Sequence, residues 1–135
     1  METIKSYTSL QQSKVLAEIL PLESADMYYT LEDFVDEDTG DIFSIEKVSL
    51  GSPSNTEIAA WSLAALLGVL PFHLIVNNQR YAFSMHKGLN KDGETYMLRY
   101  NVFNTDVCLY STDYYNNPID ACYELILKLN ELKML

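Results

Sequence analysis

The chain has 135 residues, enough to bury a real hydrophobic core with little room for a second one, so a single α+β domain spanning residues 1–135 is expected. Hydrophobic residues at 48% and charged residues at 21% match ordinary globular usage and exclude disordered, collagen-like and disulfide-dense classes. Nineteen acidic against nine basic residues give a formal charge of −10, and no Lys/Arg stripe is present, which argues against direct nucleic-acid binding.

Met1 to Tyr7 lacks the basic region, apolar run and cleavage site of an export signal, so a cytoplasmic location is expected. A first helix is predicted from Ser9 to Leu20, with Thr8 as N-cap, Gln11 completing a capping box and Pro21 as the stop. Asp26 to Val35 and Asp41 to Leu50 are rich in aromatic and β-branched residues. They flank Asp36-Glu37-Asp38-Thr39-Gly40, where Gly40 can take the positive φ that closes a hairpin. After a turn-rich connector at Gly51 to Asn55, Ser54 and Glu57 form a second capping-box signature ahead of the apolar run Ile58 to Leu70, ended by Pro71. This run falls well short of the ~20 residues that cross a bilayer, so no membrane span is predicted. Being apolar nearly all round, it is expected to be the most buried helix and the centre of the core.

From Phe72 to Thr112, strand-forming residues with breaks at Asn77-Asn78, Gly88 to Gly93 and Asn104-Thr105-Asp106 read as a four-stranded meander. A last helix opens at Asn117 as N-cap with Pro118 in its first position, and its apolar face carries Ile119, Cys122, Leu125, Ile126, Leu129 and Leu132. The predicted order is α-β-β-α-β-β-β-β-α, a mainly antiparallel sheet of about five to six strands with three helices.

The densest charge lies between Glu23 and Glu46, where Glu32, Asp33, Asp36, Glu37, Asp38 and Asp41 are the candidate contacts to a basic protein partner. Carboxylates spaced along a strand pair could also imitate phosphates in another protein's nucleic-acid groove, although Glu32 and Asp33 are adjacent and so point to opposite faces. Asp36, Asp38 and Gly40 suggest a calcium loop, but Gly40 is fifth and position twelve is Lys47, which breaks the EF-hand pattern. His73 and His86 fall in no metal-ligand spacing, so no metal or other cofactor is expected. Cys108 and Cys122 read as free thiols; paired with a histidine, either one would make a small hydrolase or transferase. Glycine-rich phosphate loops and nucleophile elbows are missing, so no catalytic residue is assigned and a non-enzymatic role is preferred.

Ten tyrosines are the remaining oddity. Arg80, Tyr81, Tyr96, Arg99, Tyr100 and Tyr110 form a second candidate set, which would stack on and pair with a small nucleotide-like ligand or serve self-association into a homo-oligomeric module.

Three stretches carry a resemblance: LAEILPLESADM at Leu16 to Met27, AWSLAALLGVLP at Ala60 to Pro71, and NNPIDACYELILKLNELKML at Asn116 to Leu135. Through them the chain resembles a family of small proteins encoded by phages and prophages of gut anaerobic bacteria. What the resemblance implies is origin rather than chemistry, because no catalytic residues come with it. By analogy with accessory phage proteins of this size, it implies a cytoplasmic binder that occludes or sequesters a host component, often one of an antiviral defence system.

Overall fold

The computed structural model describes residues 5–135; residues 1–4, part of the segment read for an export signal, lie outside the described residues. The chain divides into two compact units, Tyr7–Ala65 and Leu66–Leu135 with residues 5–6. The class is mixed α+β with three helices and antiparallel strands, as the patterning implies, and the strands form a three-stranded and a four-stranded sheet. Among the described residues no helix is long and apolar enough to cross a membrane.

In Tyr7–Ala65, helix α1 (Leu10–Leu16) precedes strands β1 (Met27–Val35), β2 (Ile42–Leu50) and β3 (Ile58–Ala60), arranged β2-β1-β3. The long hairpin forms where expected, with Gly40 at φ 78° in its turn. Helix α1 starts one residue later than the spacing predicts. Ser9 is the cap: its hydroxyl accepts from the Gln12 backbone N–H at 3.1 Å, and the Gln12 side-chain Oε1 accepts from the Ser9 backbone N–H at 3.1 Å. Thr8 is not available as a cap because its side chain is committed elsewhere. The Thr8 hydroxyl accepts from the Trp61 N–H at 3.1 Å and shares a proton with the Ser13 hydroxyl at 2.7 Å. Its N–H donates to the Trp61 carbonyl, and its own carbonyl accepts from the Tyr29 hydroxyl at 2.7 Å. The helix ends at Leu16, where Glu18 and Ile19 turn back onto the carbonyls of Val15 and Leu16 in the tighter three-residue pattern.

The largest departure from expectation concerns the apolar run after Asn55. Ile58, Ala59 and Ala60 form strand β3 against Tyr29, Tyr28 and Met27, and only Leu63–Val69 is helical, as α2. A short apolar run does not distinguish a buried strand from a buried helix, and here the free edge of β1 takes it as a strand. Glu57 still accepts from the Ser54 N–H at 2.8 Å, but no helix follows. The cap of α2 is Ser62, whose hydroxyl accepts from the Ala65 N–H and donates to Asp26, whose other carboxylate oxygen takes the Ser62 N–H at 2.9 Å. Within α2 only Leu66 is buried, so this helix is not the centre of the core. Among the described residues Met27, Tyr29 and Ala60 form one buried cluster here, joined by Tyr7, Leu10, Val48 and Ile58, and Leu16 and Trp61 are fully buried as well.

In Leu66–Leu135, strands β4 (His73–Val76), β5 (Gln79–Asn90), β6 (Gly93–Asn101) and β7 (Cys108–Ser111) make the expected meander, and α3 (Pro118–Glu131) follows with the predicted Asn117 cap. Asn77 and Asn78, both at positive φ, close the first turn. Helix α3 is the most buried of the three, setting Ile119, Cys122, Leu125, Ile126 and Leu129 toward the sheet face that carries Leu98 and Tyr100. Tyr100 is fully buried, stacks edge-on with Phe83, and donates its hydroxyl to the Pro71 carbonyl at 2.7 Å.

Two measurements probe this arrangement. Thr8→Val leaves the Trp61 N–H without a partner in a dry site, and chemical denaturation is expected to show a loss of about 1–3 kcal/mol. Burial, with Tyr7 and Glu46 nearby, pushes the Tyr29 phenol from 10 up to about 12. The unfolded chain releases this proton first, so stability is full below pH 10 and falls as pH rises from 10 towards 12. Unfolding curves across that window should show a shallower fall in Tyr29→Phe.

Candidate functional site

The long hairpin outgrows its core. Cross-strand neighbours share a face, so Met27, Tyr29, Leu31, Asp33 and Val35 lie on one side with Leu50, Val48, Glu46, Ser44 and Ile42. The opposite side carries Glu32 with Ile45 and Phe34 with Phe43. Burial stops after Tyr29. Beyond it Leu31, Val35 and Ile42 on one face and Phe34, Phe43 and Ile45 on the other are all exposed, Ile42 by 73% and Val35 by 62%. Phe34 and Phe43 stack on each other with ring centroids 5.7 Å apart. Among the described residues the hairpin's edges are open too: β2 pairs only with β1, and β3 covers β1 only at Met27, Tyr28 and Tyr29.

The turn concentrates the negative charge. The Asp36 N–H donates to the Asp41 carbonyl at 2.8 Å, the Gly40 N–H to the Asp36 carbonyl at 2.7 Å, and the Asp38 N–H to the Asp36 carboxylate at 2.8 Å. Asp36, Glu37, Asp38 and Asp41 are thus displayed together on a hydrogen-bonded turn, with no cation paired to them among the described residues. Glu32 and Asp33 are divided between the two faces, and Asp33 accepts from the Ser44 hydroxyl. The carboxylates therefore form a charged tip, not a phosphate-like row along one face. Among the described residues no group of three or more His, Cys, Asp or Glu is placed to hold a metal ion.

The second candidate set is split by the pleat of the four-stranded sheet. Tyr81, Tyr100 and Tyr110 share the face that α3 covers, as the pairings Leu74 with Tyr81, Phe83 with Tyr100 and Tyr100 with Tyr110 require. Tyr96 is on that face as well, buried, and donates its hydroxyl to Glu94 at 3.0 Å while Lys87 pairs with Glu94 at 3.3 Å and lies over the Tyr96 ring. Arg80 and Arg99 point to the opposite face. The tyrosines are thus mostly packing residues, and the structure does not bring them together with the arginines as one ligand site.

Neither cysteine is bonded to a histidine among the described residues. Burial pushes the Cys122 thiol up to about 12, so it stays protonated and unreactive inside α3's apolar face. Cys108 is exposed on β7, His73 is exposed at the start of β4, and His86 bonds to Ser84. The exposed apolar residues of the hairpin leave one signal in the sequence. Phe34-Val35 and Ile42-Phe43 are adjacent apolar pairs, and neighbours on a strand must face opposite ways, so at least one of each pair cannot face the same core.

Comparison of the chain with protein-family models, with curated proteins and with solved structures gives no match.

The thiols offer a direct check. A disulfide-based thiol reagent added to the native protein should titrate one sulfhydryl per chain, and Cys108→Ser should abolish that reaction. Cys122 should react only once the protein is unfolded.

Proposed function

We propose that this protein is a non-enzymatic binding protein that docks the β1–β2 hairpin onto a partner protein bearing a basic surface beside an apolar one. The observation that carries this reading is the combination at residues 31–46: apolar side chains exposed on both faces and, among the described residues, two open strand edges and an acidic tip with no paired cation. Contiguous exposed apolar surface and unprotected edges are costly for a soluble protein, and they commonly mark binding surfaces. An isolated two-stranded ribbon is marginal in water, so a partner that covers it also stabilises it. The acidic tip serves both states. Free, its charge keeps the ribbon from pairing with other chains; bound, it steers the hairpin to a positive patch and raises the association rate. The resemblance to phage and prophage proteins gives the partner a source: a host cytoplasmic protein, occluded by the hairpin, with components of antiviral defence as the first group to test.

The test is capture from host cytosol on the tagged protein, read by mass spectrometry. The expected result is one stoichiometric protein that is released by high salt. It should be lost with the quadruple change Asp36→Lys, Glu37→Lys, Asp38→Lys, Asp41→Lys, and lost also with Phe34→Ser plus Phe43→Ser, while the circular dichroism spectrum is unchanged. Capture that survives both sets of changes would overturn the reading. A concentration-dependent dimer by sedimentation, abolished by the phenylalanine changes, would reassign the hairpin to self-association.

A further inference from the structure

The sheet face opposite α3 in Leu66–Leu135 carries a cleft of about 470 Å³, in the size range of small-molecule sites, between strands β5 and β6 and the loop at residues 102–107. Its framework is held by a chain of hydrogen bonds with a determined direction. The Asn101 amide nitrogen donates to the carbonyls of Val102 and Thr105, both at 3.2 Å, which fixes the amide and turns its oxygen toward the Ser84 hydroxyl at 2.9 Å. Ser84 spends its only proton there, so the contact to His86 Nε2 at 3.1 Å has the imidazole as donor. His86 is thereby held in the Nε2–H form, and Nδ1 has no partner among the described residues. The loop is braced further by the Thr105 hydroxyl, which donates to the Val102 carbonyl at 2.8 Å and accepts from the Val107 N–H at 3.2 Å.

Into this braced cleft the β6 strand sends Arg99, the cross-strand neighbour of Ser84. Its Nε–H is buried with no hydrogen-bond partner, and no carboxylate lies within ion-pair distance among the described residues. A guanidinium has five donors, and leaving a buried one unmet costs more than any net gain from a satisfied bond. In a chain with a charge of −10 a carboxylate could readily have been placed beside it. Phe103, 76% exposed, stands at the margin as a flat apolar surface. Asp106 also lines the cleft, and its negative charge opposes a long polyanion more than a single compact anionic group.

We propose that this cleft binds a small organic molecule through a single oxyanion, a phosphate monoester or a carboxylate, received by Arg99 and flanked by His86, with its apolar or aromatic part against Phe103. This proposal is independent of the hairpin and of the protein partner.

The test is a titration of the 15N-labelled protein at constant ionic strength, followed by amide chemical shifts, with adenosine 5′-monophosphate as the phosphate probe and benzoate as the carboxylate probe. At least one probe is expected to give saturable shifts confined to residues 82–86 and 99–106, and which one binds assigns the oxyanion. Arg99→Gln should weaken that binding roughly 10-fold or more, as loss of a charge-assisted hydrogen bond implies, and Arg99→Lys should weaken it less. Arg80→Gln, on the same face but outside the cleft, should change it less than about twofold, a surface charge acting only at long range. Thermal unfolding of the free Arg99→Gln protein should occur no earlier than in the parent, because the replaced donor has no protein partner. Absence of saturable shifts with both probes would overturn the proposal, as would equal weakening by the Arg80 and Arg99 changes.

Discussion

The placement of the long hairpin rests on one buried residue, Thr8. Every polar group of this threonine is engaged in Tyr7–Ala65: its N–H and hydroxyl with Trp61, its hydroxyl again with Ser13, its carbonyl with Tyr29. Those three partners belong to α1, to β1 and to the residue that follows β3. Because unmet polar groups are costly in a dry interior, the three elements must meet at this point or not at all. Trp61 is pinned a second time, its indole N–H donating to the Ser24 hydroxyl at 3.0 Å. With Tyr29 tied to Thr8, β1 is rooted at its first residues, and everything beyond residue 30 runs out past the available core.

Both sheets meet the same limit of supply. Each has a helix or a short strand to cover part of its surface, and each leaves a remainder. In Tyr7–Ala65 the remainder is a ribbon with apolar residues on both faces and charge at its end. In Leu66–Leu135 helix α3 takes the face bearing Leu98, Tyr100 and Tyr96, and the opposite face keeps the polar residues Ser84, His86, Arg99 and Asn101. The pleat sorts these groups: alternate residues of β6 are core or cleft by position alone. The two regions differ in chemistry: one offers carboxylates and large apolar side chains, the other a guanidinium with no ion-pair partner among the described residues.

Much of the fold was legible because it rests on local rules. The Asn117-Pro118 helix start, the asparagine turn between β4 and β5, and the glycine at positive φ in the acidic hairpin each follow from backbone conformations that few residues adopt. The capping box of α1 was visible as a type but not to the residue, since Thr8-Ser9 offers two hydroxyls and only the position of Trp61 decides which of them caps. The run after Asn55 is ambiguous for a related reason. Ile-Ala-Ala-Trp has no periodicity to separate strand from helix, and the unpaired edge of β1 settled the matter. Of the tyrosines, composition told that they were many but not that Tyr96 and Tyr100 lie beneath a helix.

The sequence by itself determined the class, the antiparallel hairpins, the last helix and the accumulation of acid at the hairpin turn, because these depend on composition and on contacts close in the chain. Only the tertiary structure decided which surfaces remained uncovered. Exposure and burial are properties of what other segments reach, so neither the two-faced apolar ribbon nor the buried, unpartnered Nε of Arg99 could be read from its own strand. The same holds for the direction of the Asn101–Ser84–His86 chain. Its link from Asn101 to Ser84, 17 residues apart, joins side chains that share a sheet face only once β5 and β6 are in register.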